Sequence, residues 1–143
     1  MTRIDFYLLS SAAPLARLDY ACRLAYKAWS KGHQVYLHCS DEDQVTELDG
    51  LLWRFRADAF LPHGSDPRDS RNPVVCSCAD DPGLQHDLLI NLSDQQPAFF
   101  SRFRRLAEIV IEHDPVRLPA RERFRFYRDK GYALQTHPIR TAE

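Results

Sequence analysis

Glycine is scarce in this 143-residue chain: five stand at positions 32, 50, 64, 83 and 131, no two closer than fourteen residues. That spacing excludes glycine-rich phosphate loops of the GxGxxG and GxxxxGK[ST] kinds, each of which needs several glycines within about eight residues. No apolar run approaches the roughly 18 residues that a membrane-spanning helix requires. The opening Met1 to Phe6 also lacks the basic-then-apolar order of an export signal, so the expectation is a soluble cytoplasmic protein without a membrane role. An excess of one charge sign is missing too: the formal net charge is −1, the mark of neither a polyanion binder nor an acidic tail. No GxSxG elbow, HExxH helix or EF-hand loop is present. Four cysteines stand at 22, 39, 76 and 78, and the CxC pair has no second pair to complete a zinc site. They read as buried free thiols, with no metal and no cofactor implied.

What is present is a pattern of strands and helices. With 44% apolar and 27% charged residues the chain suits one globular domain, residues 1–143, able to bury a core. The short run Ile4 to Leu9 reads as a buried strand. Leu15, Leu18, Cys22, Ala25 and Trp29 then fall at alternating spacings of three and four, ending at Lys31-Gly32, and predict a helix. Gln34 to Cys39 is a second strand, completing a βαβ unit. Ser40-Asp41-Glu42-Asp43 supplies an N-cap and acidic first turn, which accounts for that acidic cluster better than a metal site does. Val45, Leu48, Leu51, Leu52 and Phe55 give the helical stripe that follows. Gly64 to Pro73 reads as an exposed loop, and Val74 to Cys78 and Leu88 to Leu92 as strands. Pro97 predicts a third helix with Phe99, Phe103, Leu106 and Val110 on one face, and Pro119 to Lys130 a fourth that stops at Gly131. The order predicts an α/β fold: a three-layer, Rossmann-like domain on a mostly parallel sheet, without a dinucleotide-binding motif.

The six histidines are scattered singly and read as surface or loop residues. Charge is partitioned rather than absent: residues 1–100 hold nine Lys/Arg against fourteen Asp/Glu, whereas residues 101–143 hold ten against six. Within that basic third, Arg121, Arg125 and Arg128 lie at i, i+4 and i+7 and share one helix face, with Phe124 about 60° to one side of Arg121. Arg117 stands just upstream. Arginine favours planar, bidentate grip of a carboxylate or phosphate. The plainer account is a solvated face whose arginines pair with Glu122 and Asp129. A further alternative is direct single-stranded nucleic-acid binding through Arg121, Arg125 and Arg128. Trp53, Phe55 and Phe60 cluster around the end of the second helix, as core filling or as an interface anchor.

Several segments together resemble the chi subunit family of bacterial DNA polymerase III. They are Asp5-Phe6-Tyr7-Leu8-Leu9, Leu52-Trp53, Phe60-Leu61-Pro62-His63, Asp87 to Leu92, Ala120 to Arg128 and Gly131-Tyr132. They occur in family order across nearly the whole chain. The resemblance implies a non-catalytic adaptor that pairs with the small psi subunit of the clamp loader. It also implies a separate surface that holds the acidic, Phe-terminated tail of single-stranded DNA-binding protein, so that nucleic acid is met only indirectly. The tail site it implies is Val110, Arg117, Arg121, Phe124 and Arg128. The psi surface it implies includes Trp53 and Phe60, and an XPD-like helicase competes for that surface in some bacteria. Two positions depart from the family's frequent residues: Arg117 stands where lysine is common, and Phe124 where tyrosine is.

Overall fold

A computed structural model describes residues 1–55, 61–69 and 71–140. The elements run β1 (Arg3–Leu9), α1 (Pro14–Ser30), β2 (Val35–His38), α2 (Glu42–Arg54), β3 (His63–Gly64), β4 (Val74–Ser77), β5 (Leu88–Asn91), β6 (Arg105–Val110), α3 (Asp114–Asp129) and β7 (Ala133–Ile139). Each helix begins as its local sequence dictates. Pro14 and Pro115 open α1 and α3, where the missing N–H costs nothing, and the Asp41 carboxylate caps α2 by accepting from the Gln44 amide at 2.8 Å. After α1, Gly32 adopts φ +88°, a left-handed conformation that glycine reaches without strain.

The strands form one sheet in the order β3-β4-β2-β5-β6-β1-β7, and every pairing is parallel. A parallel sheet must be covered on both faces. Odd-numbered residues of β6, Ala107 and Ile109, pack with α1 and α2 residues such as Leu18, Cys22, Leu48 and Leu52. Even-numbered residues of β1 and β6, Ile4, Phe6, Leu106 and Val110, pack instead with Ala120 and Tyr127 of α3 and with Phe99, Phe100 and Phe103. The result is the three-layer, Rossmann-like α/β architecture that the alternating pattern predicts.

Three local expectations are corrected. The segment from Pro97 is no helix: a single 3-10 turn at Phe100–Arg102 leads into strand β6. Its helix-like spacing arises because Phe99 and Phe103 pack before the strand, whereas Leu106 and Val110 sit on one face of it. The last helix begins at Asp114, so Pro119 lies inside it rather than at its start. The segment after Gly131, read as no element at all, is the edge strand β7.

The histidine expectation also fails at three positions. His137 Nε2 lies 2.9 Å from Oδ1 of the buried Asp5, which Arg105 holds from the other side at 3.1 Å. The His63 ring is buried beside α2, with Nε2 3.1 Å from Asp49 Oδ1. His38 is half-buried against the Phe99 ring, and that burial lowers its pKa.

Strand β6 is flanked by strands on both sides, yet carries Glu108 fully buried. Arg123 of α3, itself buried, meets it bidentately, Nε to Oε2 at 2.9 Å and Nη2 to Oε1 at 3.0 Å. Asn91 Nδ2 donates to the same carboxylate at 3.1 Å, and the Tyr127 hydroxyl lies 3.4 Å away. Burial, then the Glu108 charge, pushes the Tyr127 pKa up. On the opposite layer, buried Arg17 caps the ends of two strands, donating to the carbonyls of Ile109 (2.7 Å) and Leu92 (3.0 Å). Desolvation lowers its pKa to about 10, which leaves it cationic at neutral pH.

All four cysteines are free, and three are buried. Burial raises the Cys22 and Cys76 thiols to about 12 and Cys39 higher still. Cys78 alone is half-exposed, its thiol donating to Glu42 Oε1 at 3.0 Å. DTNB is therefore expected to titrate one thiol in the native protein and the other three only after denaturant is added; rapid native reaction of all four would contradict this burial. Arg123→Ala leaves the Glu108 carboxylate buried without its cation and should cost about 3–5 kcal/mol in urea unfolding. A loss below about 1 kcal/mol would show that the pair does not hold α3 to the sheet.

Candidate functional site

Helix α3 leaves β6 through a short turn in which the Glu112 amide donates to the Ser11 carbonyl at 2.9 Å. That bond ties the start of the helix to the carboxyl end of β1. Ala120, Arg123 and Tyr127 then face the sheet at helical spacing and are buried. With those three fixed inward, a rotation of about 100° per residue sets Arg117, Arg121, Arg125 and Arg128 along one flank of the helix. Leu118 and Phe126 stand on the outward side and are partly exposed.

Between that flank and the carboxyl ends of β1, β6 and β7 runs a groove of about 790 Å³. The position suits a parallel sheet: α1 leaves β1 toward one face and one side, α3 leaves β6 toward the other, and the crevice opens where the strand order diverges. Its floor is apolar, with Phe6, Leu8, Val110, Ala120 and Phe124 contributing. Phe124 is half-buried and meets the Phe6 ring edge-on at 5.2 Å between centroids. Arg117, Arg121, Arg125, Arg128 and Arg140 line the groove against a single carboxylate, Glu112. The groove is thus an apolar slot with a cationic rim.

The arginines are not equivalent. Arg117 Nη2 bonds Asp114 Oδ1 at 2.6 Å, Arg125 Nη1 bonds Glu122 Oε1 at 2.8 Å, and Arg128 Nη2 lies 3.2 Å from Asp129 Oδ1. Local pairing of the stripe, the plainer expectation, therefore describes Arg125 and Arg128. Arg121 is exposed and makes no ion pair with any of the described residues. Its guanidinium stays open to a ligand carboxylate without first breaking another bond.

All five residues named for a peptide site, Val110, Arg117, Arg121, Phe124 and Arg128, line this one groove. Sequence reasoning missed the opposite wall, where Thr136, Pro138, Ile139 and Arg140 of β7 and its end contribute. The available signal was the alternation Leu134, Thr136, Pro138 on the α3 side, which the proline disguised.

Trp53 lies elsewhere, on α2, which packs on the other face of the sheet. Its side is 59% exposed, and the indole meets the His63 ring at 4.8 Å. Phe55, by contrast, is half-buried against Tyr26. Phe60, named with Trp53 for a second surface, falls outside the described residues. Among the described residues no three His, Cys, Asp or Glu side chains are placed to hold a metal ion, and no helix is long and apolar enough to cross a membrane.

Comparison with known proteins adds the family. The model for the family described as DNA polymerase III chi subunit, HolC, matches residues 1–135. A protein named DNA polymerase III subunit chi from Pseudomonas aeruginosa is 54% identical over 139 residues, covering 97% of this chain and 98% of that one. Its namesakes from Haemophilus influenzae and Escherichia coli are 32% and 30% identical, covering 94% and 95% of this chain and 96% and 97% of theirs. A match of this extent, on a parallel α/β fold that carries an arginine-rimmed groove, means that the chain belongs to the DNA polymerase III chi subunit family.

Proposed function

We propose that this chain is a non-catalytic adaptor of the replicative DNA polymerase III assembly. Its α3 groove holds the acidic, Phe-terminated tail of single-stranded DNA-binding protein, while a separate surface, which includes Trp53 of α2 and to which the family resemblance assigns Phe60, meets the psi subunit of the clamp loader or an XPD-like helicase. The observation that carries this reading is Arg121, unpaired among the described residues, beside the apolar slot of Val110 and Phe124. A terminal carboxylate is a planar acceptor suited to bidentate grip by a guanidinium. The terminal phenyl ring suits the apolar floor, where the Phe6 edge is already set against Phe124. Upstream acidic residues meet the remaining arginines, which attract them over a distance and set the encounter rate.

Direct single-stranded nucleic-acid binding through Arg121, Arg125 and Arg128 is less well supported. Two of the three are paired to carboxylates on their own helix, and those carboxylates repel a phosphate backbone. A base entering the groove would also need a free ring to stack on, and the groove's own ring, Phe124, is half-buried against Phe6.

Fluorescence anisotropy with a labelled acidic peptide ending in phenylalanine is expected to give saturable binding that weakens as salt is raised. Arg121→Ala should weaken it at least about tenfold, as should removal of the terminal phenylalanine, whereas Trp53→Ala should leave it unchanged. Equal binding of the truncated peptide would overturn the reading. So would a gel shift of single-stranded DNA by the protein alone that Arg121→Ala abolishes.

A further inference from the structure

A second groove of about 790 Å³ lies against the first, on the α1 face of the sheet. Ile139 and Arg140, at the end of β7, line both. The two therefore meet at the tip of an edge strand, and the residue at that tip is a cation. Arg140 is exposed and, like Arg121, makes no ion pair among the described residues. Beyond it the second groove presents apolar surface, with Leu15 58% exposed and Leu51 half-buried, together with Tyr20 and one further arginine, Arg23.

Arg23 is held only loosely. Its partner Asp19 lies at 3.7 Å and both side chains are largely exposed, so the pair yields readily to another carboxylate. The start of α1 runs along the same wall, where the Ser11 hydroxyl accepts from the Ala13 amide at 3.0 Å, and the positive end of the helix adds to the field of Arg23 and Arg140. Arg121 in the first groove, Arg23 in the second and Arg140 shared by both thus supply cations to each groove, beside its apolar surface.

We propose that the two grooves form one track, occupied by a single extended acidic peptide: its carboxyl end lies beside α3, its chain crosses Arg140, and its upstream acidic and apolar residues lie along α1. The proposal rests on the reading of the α3 groove as a peptide site and extends it. An extended chain advances roughly 3.3 Å per residue, so a peptide of about four residues spans roughly 13 Å and one of about ten roughly 33 Å. The longer one has roughly 20 Å more chain to carry past Arg140, the residue both grooves share.

The test compares two acidic, Phe-terminated peptides of those lengths by anisotropy on the full chain and on Arg23→Glu, whose exposed position leaves the fold intact. The longer peptide is expected to bind about five- to tenfold tighter than the shorter, and Arg23→Glu to remove that gain while leaving the shorter peptide's affinity unchanged. If the shorter peptide binds but lengthening brings no gain, or Arg23→Glu has no effect on the longer one, the track is overturned and the α3 site stands. If neither peptide binds, both readings fall. Sedimentation showing a dimer that Arg23→Glu dissociates would assign the second groove to another copy of the chain and likewise overturn the proposal.

Discussion

A carboxylate buried in the middle of a parallel sheet cannot be left without a cation, and in this protein the cation comes from α3. Glu108 is fully buried on β6, and the Arg123 guanidinium that meets it bidentately is nearly as buried. Such a pair contributes little net stability compared with a well-packed apolar alternative, but breaking it is costly. It therefore acts as a register: it fixes which side of α3 turns inward. With Arg123 inward, Ala120 and Tyr127 follow it into the aromatic layer of Phe6, Phe100 and Phe103. Arg121 and Arg128 are then set toward the groove and Phe124 toward its floor. The geometry of the candidate site depends on a contact that none of its five named residues makes.

The fold is one that often binds nucleotides, yet its crevice is furnished differently. No glycine-rich turn follows β1; that turn reads Ser10-Ser11-Ala12. On the α1 side, Arg17 covers the carbonyls of Ile109 and Leu92 at the strand ends. What remains open at the divergence of the strands is an apolar slot rimmed by arginine, which matches a peptide carboxyl end better than a pyrophosphate. The near-zero net charge conceals this arrangement, because the excess of acid in the first hundred residues offsets the arginines of the last forty-three.

Much of the architecture was legible because most of the sheet strands are short apolar runs punctuated by proline, glycine and aspartate. Two were not. In β6 the run Leu106 to Ile111 is interrupted by Glu108, and a charge in an apolar run argues against a central strand unless its partner is visible; that partner, Arg123, lies fifteen residues onward in another element. In β7 Pro138 argues against a strand, and it is tolerated because β7 is at the edge, where an absent donor interrupts no inner ladder. The helix side of the groove was legible from the i, i+4, i+7 arginines, whereas the β7 side was hidden with its strand. Arg121 could be seen as one of a stripe, but that it alone lacks a carboxylate partner among the stripe's arginines depends on rotamers, which no spacing encodes.

The central claim is that the groove between α3 and β7 receives an acidic peptide ending in phenylalanine, and the most direct measurement is a titration of isotopically labelled protein with that peptide, followed by amide chemical shifts. The account predicts that perturbed amides cluster on Arg117 to Arg128 and at the ends of β1, β6 and β7, extending onto α1 only with a longer peptide, and that Trp53 is unmoved. Shifts centred on α2, or none at saturating peptide, would contradict it.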